Sequence, residues 1–216
     1  MAVLSQTLKN SIRNISVLFL LLFAGVTCAS AQSVGFSFGL GTATNSANGQ
    51  PLDSFGDVGP KLGGVFATFA GDYMFRPSLG FGAEYSFRAS QGNYAPQVGV
   101  NYRPIFYDFN AIWHPVTTST RVVPEFQGGL GGADLKFYES QTECAIAGVC
   151  TTLNQYIASS NHFQLHFSGG VRLYVKPSIY IRPQVDVHWV NNFQEFGSSW
   201  VPEYSVAIGY SFGSTH

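Results

Sequence analysis

Along residues 179–189, Ile179, Ile181, Val185, Val187 and Trp189 fall on one face of an extended chain, and Tyr180, Arg182, Gln184, Asp186 and His188 fall on the other. Successive side chains of a strand point to opposite sides, so the stretch predicts a strand with one apolar and one polar face. The same two-residue period predicts seven more strands, at 33–41, 65–75, 79–89, 105–114, 122–138, 162–175 and 203–212. In 79–89, Leu79, Phe81, Tyr85 and Phe87 oppose Gly80, Gly82, Glu84, Ser86 and Arg88; in 105–114, Tyr107, Phe109 and Trp113 oppose Asp108, Asn110 and His114. Two features interrupt the pattern. Past Gly131 and Gly132 the apolar set passes from Val122, Phe126 and Leu130 to Leu135 and Phe137, which predicts a bulge at the glycines. Pro124 and Pro183 lack the N–H that a strand paired on both sides needs, which predicts local bulges there too.

The connections alternate in length. Those at 76–78, 115–121 and 176–178 are short, whereas 42–64, 90–104, 139–161 and 190–202 are long and polar. Long loops on one rim and tight turns on the other are how barrels that cross a membrane are built. The predicted fold class is therefore all-β, an eight-stranded antiparallel up-and-down transmembrane β-barrel. A soluble barrel with its apolar faces inside would fit the period equally well, but it needs a hydrated exterior. Only 11% of this chain is charged, against roughly 25% in an ordinary soluble domain. The apolar faces are thus expected to meet acyl chains, and the polar faces to line the lumen.

Lys9 and Arg13, an apolar run over 17–24 and the small residues Ala29, Ser30 and Ala31 before Gln32 predict a cleaved secretory signal peptide at 1–31, leaving 32–216 as the barrel domain. That chain would carry 9 basic and 12 acidic residues, a balance that argues against nucleic acid as a partner. Cys28 falls in the removed segment. Cys144 and Cys150 remain, and export to an oxidising compartment predicts a disulfide between them.

The polar faces supply the candidate chemistry. Asp72, Arg172, Arg182 and Glu125 each lie about four positions from a short turn, at a similar depth, and are expected to neutralise one another, because unpaired charge there is costly. The predicted lumen network comprises Asp72, Glu84, Arg88, Asp108, Glu125, His166, Arg172, Arg182, Asp186 and His188. A symmetric three-residue turn at 176–178 would pair His166 with His188 and Ser168 with Asp186. Ser168, His166, His188 and Asp186 therefore include the residue types of a nucleophile, its base and an orienting carboxylate. Structural hydrogen bonding among lumen residues is the favoured reading, with a catalytic site as the alternative. The His pair with Asp186 also has the ligand types of a transition-metal site, although no metal and no cofactor are expected. His114 shows no visible partner.

The eight alternating strands, the three tight turns and the closing Ala207-Ile208-Gly209-Tyr210-Ser211-Phe212 resemble the small eight-stranded outer-membrane β-barrels typified by OmpX and the barrel domain of OmpA. The resemblance implies a monomer in a Gram-negative outer membrane, in contact with membrane lipids and lipopolysaccharide. It further implies delivery to the barrel-insertion machinery through Tyr210 and Phe212, and a non-enzymatic structural, envelope-integrity or adhesion role carried by exposed loops, without an open general pore. Asp53, Asp57, Glu139 and Glu143 would make those loops acidic. Two alternatives stand beside this: a narrow solute or ion channel, and a lipid-modifying hydrolase, since His166-x-Ser168 resembles the His-x-Ser of outer-membrane lipid A deacylases. Those enzymes add a glutamate about a dozen residues later, where this chain has Tyr180.

Overall fold

A computed structural model describes residues 33–46, 59–95, 99–119, 121–144, 150–193 and 196–213. The predicted signal peptide at 1–31, Asp53, Asp57 and the side chain of Glu143 lie outside the described residues. The strands are β1 (Ser33–Ala43), β2 (Phe66–Arg76), β3 (Leu79–Arg88), β4 (Gly92–Ala95), β5 (Val100–Trp113), β6 (Val122–Cys144), β7 (Cys150–Lys176), β8 (Ile179–Val190) and β9 (Trp200–Gly213). Eight of them form a closed antiparallel ring in the order β3-β2-β1-β9-β8-β7-β6-β5, with β5 pairing back onto β3. The extra strand, β4, is a short piece of the second long connection laid against β5. Among the described residues no helix is long and apolar enough to cross a membrane.

Two of the short turns are near-copies, Arg76-Pro77-Ser78-Leu79 and Lys176-Pro177-Ser178-Ile179. In each the register steps once, between Met74 and Arg76 and between Tyr174 and Lys176. The fixed φ of proline suits the turn and ends the pairing. The second turn is the two residues Pro177-Ser178, and the bulge at Val175 restores the register beyond it, so that His166 faces His188 and Ser168 faces Asp186.

The predicted bulges at Gly131-Gly132, Pro124 and Pro183 are absent. Pairing of β6 runs without a step from Phe126 to Phe137 against β7, and through Gly131 and Gly132 against β5. Alternation is intact, so Leu135 and Phe137 lie on the inward face, and the step of β6 against β7 falls later, between Phe137 and Tyr138. Pro124 pairs with Val171, while on its other side the ladder with β5 ends at Trp113 and Phe126. Pro183 pairs with Val206, and the β7–β8 ladder is interrupted opposite it, between the Gly170–Gln184 and Leu173–Ile181 rungs, without loss of register. Each proline sits where its missing donor has no bond to make.

Of the connection predicted as a polar loop at 139–161, the described residues 139–144 and 150–161 are strand instead. Glu139 is the last β6 residue paired to β5, and Gln164 the last β7 residue paired to β8. From there to Cys144 and Cys150 the two strands pair only with each other, a two-stranded hairpin standing beyond the ring.

Every ring strand presents apolar side chains outward: Phe38, Phe69, Phe81, Phe109, Leu130, Phe167, Ile181 and Ile208, from 41% exposed at Ile181 to 67% at Phe109. Trp113, Phe126, Tyr210 and Phe212 widen the aromatic content of this surface toward the turn rim. An unbroken apolar exterior around polar buried groups reverses the layout of a soluble barrel and matches that of a membrane one.

Candidate functional site

The inward residues stack in three tiers. Nearest the short turns, β7 brings Arg172 against Asp72 of β2, at 3.1 Å from Nη2 to Oδ1, and its Nε donates to Glu125 Oε2 of β6 at 2.5 Å. Arg182 of β8 donates from Nη1 to Glu125 Oε1 at 2.9 Å and reaches Glu84 Oε2 at 3.3 Å. Glu125 also meets His114 Nε2 at 2.8 Å and accepts from Gln127 Nε2 at 2.9 Å. One carboxylate thus ties together two guanidiniums, an imidazole and an amide. The Tyr180 ring lies 4.8 Å from the Arg172 guanidinium carbon, a cation–π contact. Gly209 has to be glycine for this, because a Cβ there would run into the Tyr180 ring.

In the middle tier His166, fully buried, contacts carboxylates on both sides. Nε2 lies 3.1 Å from Asp186 Oδ1, and Nδ1 lies 2.9 Å from Asn110 Oδ1 and 3.2 Å from Asp108 Oδ1. Gln184 Nε2 donates to Asp186 Oδ1 at 2.5 Å, and Asn110 donates to Asp108. The His188 ring stacks between His166 and Phe106, at centroid distances of 4.9 and 4.6 Å. Above it, Ser86 Oγ donates to Glu203 Oε1 at 2.8 Å.

The third tier, at the long-loop end, is apolar. Ala43, Leu62, Phe66, Tyr102, Phe106, Ala133, Leu135, Val190, Phe193, Phe196 and Val201 form one buried cluster, with Tyr94 and Phe137 packed against it. Asn45 braces it from two loops, donating to Pro60 O at 2.9 Å and Phe196 O at 3.1 Å while accepting from Leu62 N at 3.0 Å.

No protein-family model and no curated protein matches the sequence. Among solved structures, the chain is similar to a major outer membrane protein from Thermus thermophilus, at 12% identity and a TM-score of 0.54 over 84% of this chain and 100% of that one. It is similar to Neisserial surface protein A at 16% identity and a TM-score of 0.52, over 84% and 97% of the two chains. Ail of Yersinia pestis, solved with the heparin analogue sucrose octasulfate, gives 14% identity and a TM-score of 0.51 over 84% and 99%. The fold is that of the small outer-membrane β-barrels.

All ten residues predicted for the barrel's lumen network are buried and inward-facing, and nine of them fall into two tiers bridged by Gln184, whose Nε2 donates to Asp186 Oδ1 at 2.5 Å and reaches Glu84 Oε2 at 3.4 Å. Asp72, Glu84, Glu125, Arg172 and Arg182 share the lowest tier, and Asp108, His166, Asp186 and His188 the next. Arg88 belongs to neither. It donates to backbone carbonyls, Lys61 O and Tyr102 O at 2.8 Å and Ser90 O at 2.9 Å, with the Tyr102 ring 4.5 Å away, and so anchors the first two long loops to the plug. His114, predicted to lack a partner, is buried on Glu125. Gln127, Gln164, Gln184, Ser86 and Glu203 are not singled out by the sequence, although each occupies an inward position of a predicted strand or of its continuation.

The candidate nucleophile Ser168 lies opposite Asp186 and is buried. Both nitrogens of His166 are engaged by Asp186, Asp108 and Asn110, and among the described residues no hydrogen bond joins Ser168 to a histidine. A narrow barrel filled by its own side chains leaves little room for an acyl substrate beside this serine.

Proposed function

We propose that this chain is an integral outer-membrane β-barrel of a Gram-negative envelope, closed to general diffusion and non-enzymatic, whose activity lies in adhesion or envelope contact through the β6–β7 hairpin. The observation that carries the reading is the three-tier lumen, ionic and polar below and sealed by an apolar plug above. With the interior committed to packing, the strands that outrun the ring are the part of the molecule free to meet a partner. Leu153, Tyr156 and Ile157 are exposed on the hairpin, and exposed apolar side chains on a solvated two-stranded arm suit protein contact. Arg103 and Lys136 sit opposite each other on β5 and β6 near the loop rim, on the outward face. A cationic pair at that height fits the phosphates of lipopolysaccharide. Tyr210 and Phe212 at the end of β9 fit presentation to the barrel-insertion machinery.

The hairpin reading is tested by replacing residues 140–154 with a short turn, which joins Glu139 to its cross-strand partner Gln155. The shortened barrel is expected to keep its heat-dependent gel mobility, while cells displaying it lose adherence to matrix-coated surfaces relative to cells displaying the full chain. Equal adherence of the two would refute the reading. Planar bilayers are expected to show no discrete conductance.

The hairpin tip carries a second proposal. Cys144 and Cys150 occupy opposite positions in the register, and cross-strand neighbours at that spacing suit a disulfide. Intact-mass analysis of the exported protein, with and without reductant before alkylation, is expected to show two cysteines alkylated only after reduction.

A further inference from the structure

The middle tier is short of positive charge. Asp72, Glu84, Asp108, Glu125, Asp186 and Glu203 are six buried inward carboxylates, whereas Arg172 and Arg182 are the guanidiniums bonded within their network. Both arginines serve the lowest tier, and Arg88 is spent on carbonyl oxygens at the plug. Asp108 and Asp186 are left with an imidazole and amides, and Glu203 with the hydroxyls of Ser86 and Thr68. Buried carboxylates in excess over their cations are costly unless something positive is supplied.

His188 is the second observation. Its side chain is 2% exposed, yet among the described residues neither Nδ1 nor Nε2 has a hydrogen-bond partner, and the nearest carboxylate oxygen, Glu203 Oε2, is 3.6 Å from Nε2. An imidazole held in place by stacking on Phe106 and His166, with both nitrogens unsatisfied, is a ligand in search of an acceptor. Asp186 Oδ2 and Glu203 Oε2 likewise have no hydrogen-bond partner among the described residues. Asp108, His166 and His188 each offer one ligand atom, and the three atoms lie within 4.8 Å of one another.

We propose that Asp108, His166 and His188 bind one divalent transition-metal cation inside the barrel. Two imidazoles and a carboxylate suit Zn2+, Cu2+ or Ni2+ rather than Ca2+ or Mg2+, which favour all-oxygen sites. Asn110, which donates to Asp108, and Gln164, whose Nε2 lies 3.4 Å from Asp108 Oδ2, hold that carboxylate from outside the ligand set. The apolar plug above shields the site from bulk water. The bound ion would supply the charge that the tier lacks and would cross-link β5, β7 and β8. This site is independent of what the outer hairpin contacts, so either reading can fail without the other.

The test uses the full mature chain without a polyhistidine tag, refolded in detergent with zinc and then dialysed against a weak chelator. Elemental analysis is expected to find about one zinc per barrel, and His188→Asn is expected to lower affinity at least tenfold. His162→Asn, at the rim outside the site, should bind as the parent does. Cobalt in place of zinc should shift two imidazole ring resonances of the parent paramagnetically, a readout that needs no variant to fold. Zinc below about 0.1 per barrel in the folded parent overturns the proposal and leaves buried water as the partner of His188. So does a His188→Asn barrel, folded by heat-dependent mobility, that retains parental affinity, or a cobalt form with no shifted imidazole.

Discussion

Replacing Glu125 with glutamine is expected to destabilise the folded barrel by about 3 kcal/mol or more, because removing one member of a buried ion cluster strands the others. The side chain is nearly isosteric, so packing is preserved and the loss reports charge. Glu125 is 1% exposed and receives Arg172 and Arg182, with His114 and Gln127 as further contacts. Without it each guanidinium keeps a single carboxylate partner, Asp72 for Arg172 at 3.1 Å and Glu84 for Arg182 at 3.3 Å. Neither guanidinium can shed its proton to relieve the burial. The measurement is urea unfolding of the barrel refolded into short-chain phosphatidylcholine bilayers. Arg76→Gln, at an exposed turn position, should stay within about 0.5 kcal/mol of the parent. Equal stability of Glu125→Gln and Arg76→Gln would mean that the lowest tier is hydrated and that the lumen is not packed as described.

How far such a cluster is legible in the sequence depends on turn length. A symmetric three-residue turn at 176–178 predicts the opposition of His166 to His188 from residue numbers alone, and the structure contains that rung, reached by the two-residue turn Pro177-Ser178 and the bulge at Val175. His114 and Glu125 continue the alignment set by Trp113 and Phe126. Their meeting is hidden from the sequence because the seven residues between the strands, 115–121, allow several registers. Leu135 and Phe137 are misplaced for a different reason. Assigning sidedness from polarity assumes that one face keeps one chemistry along its whole length. Here the inward face of β6 changes from Glu125 and Gln127 to Leu135 as the lumen passes from ion pairs to plug. The hairpin beyond the ring is hidden because a solvated ribbon needs no apolar face, and its Thr, Ser and Asn content reads as loop.

Ile208→Arg is expected to cost about 2 to 4 kcal/mol, the penalty for a cation facing lipid near the bilayer midplane. Ile208 lies between Phe38 of β1 and Ile181 of β8 and is 59% exposed on the protein's own surface. Exposure alone would make arginine harmless there, since surface substitutions ordinarily shift stability by about 0.5 kcal/mol or less. A large penalty at so exposed a position requires that the surroundings be hydrocarbon. Val175, 67% exposed at the bulge beside a short turn, separates depth from chemistry. Val175→Arg, at the interface where a long cationic side chain reaches headgroups, should cost no more than about 1 kcal/mol. Unfolding in the same bilayers measures both. If the two variants prove equally mild, the apolar belt faces water, and the ionic tiers become the core of a soluble barrel.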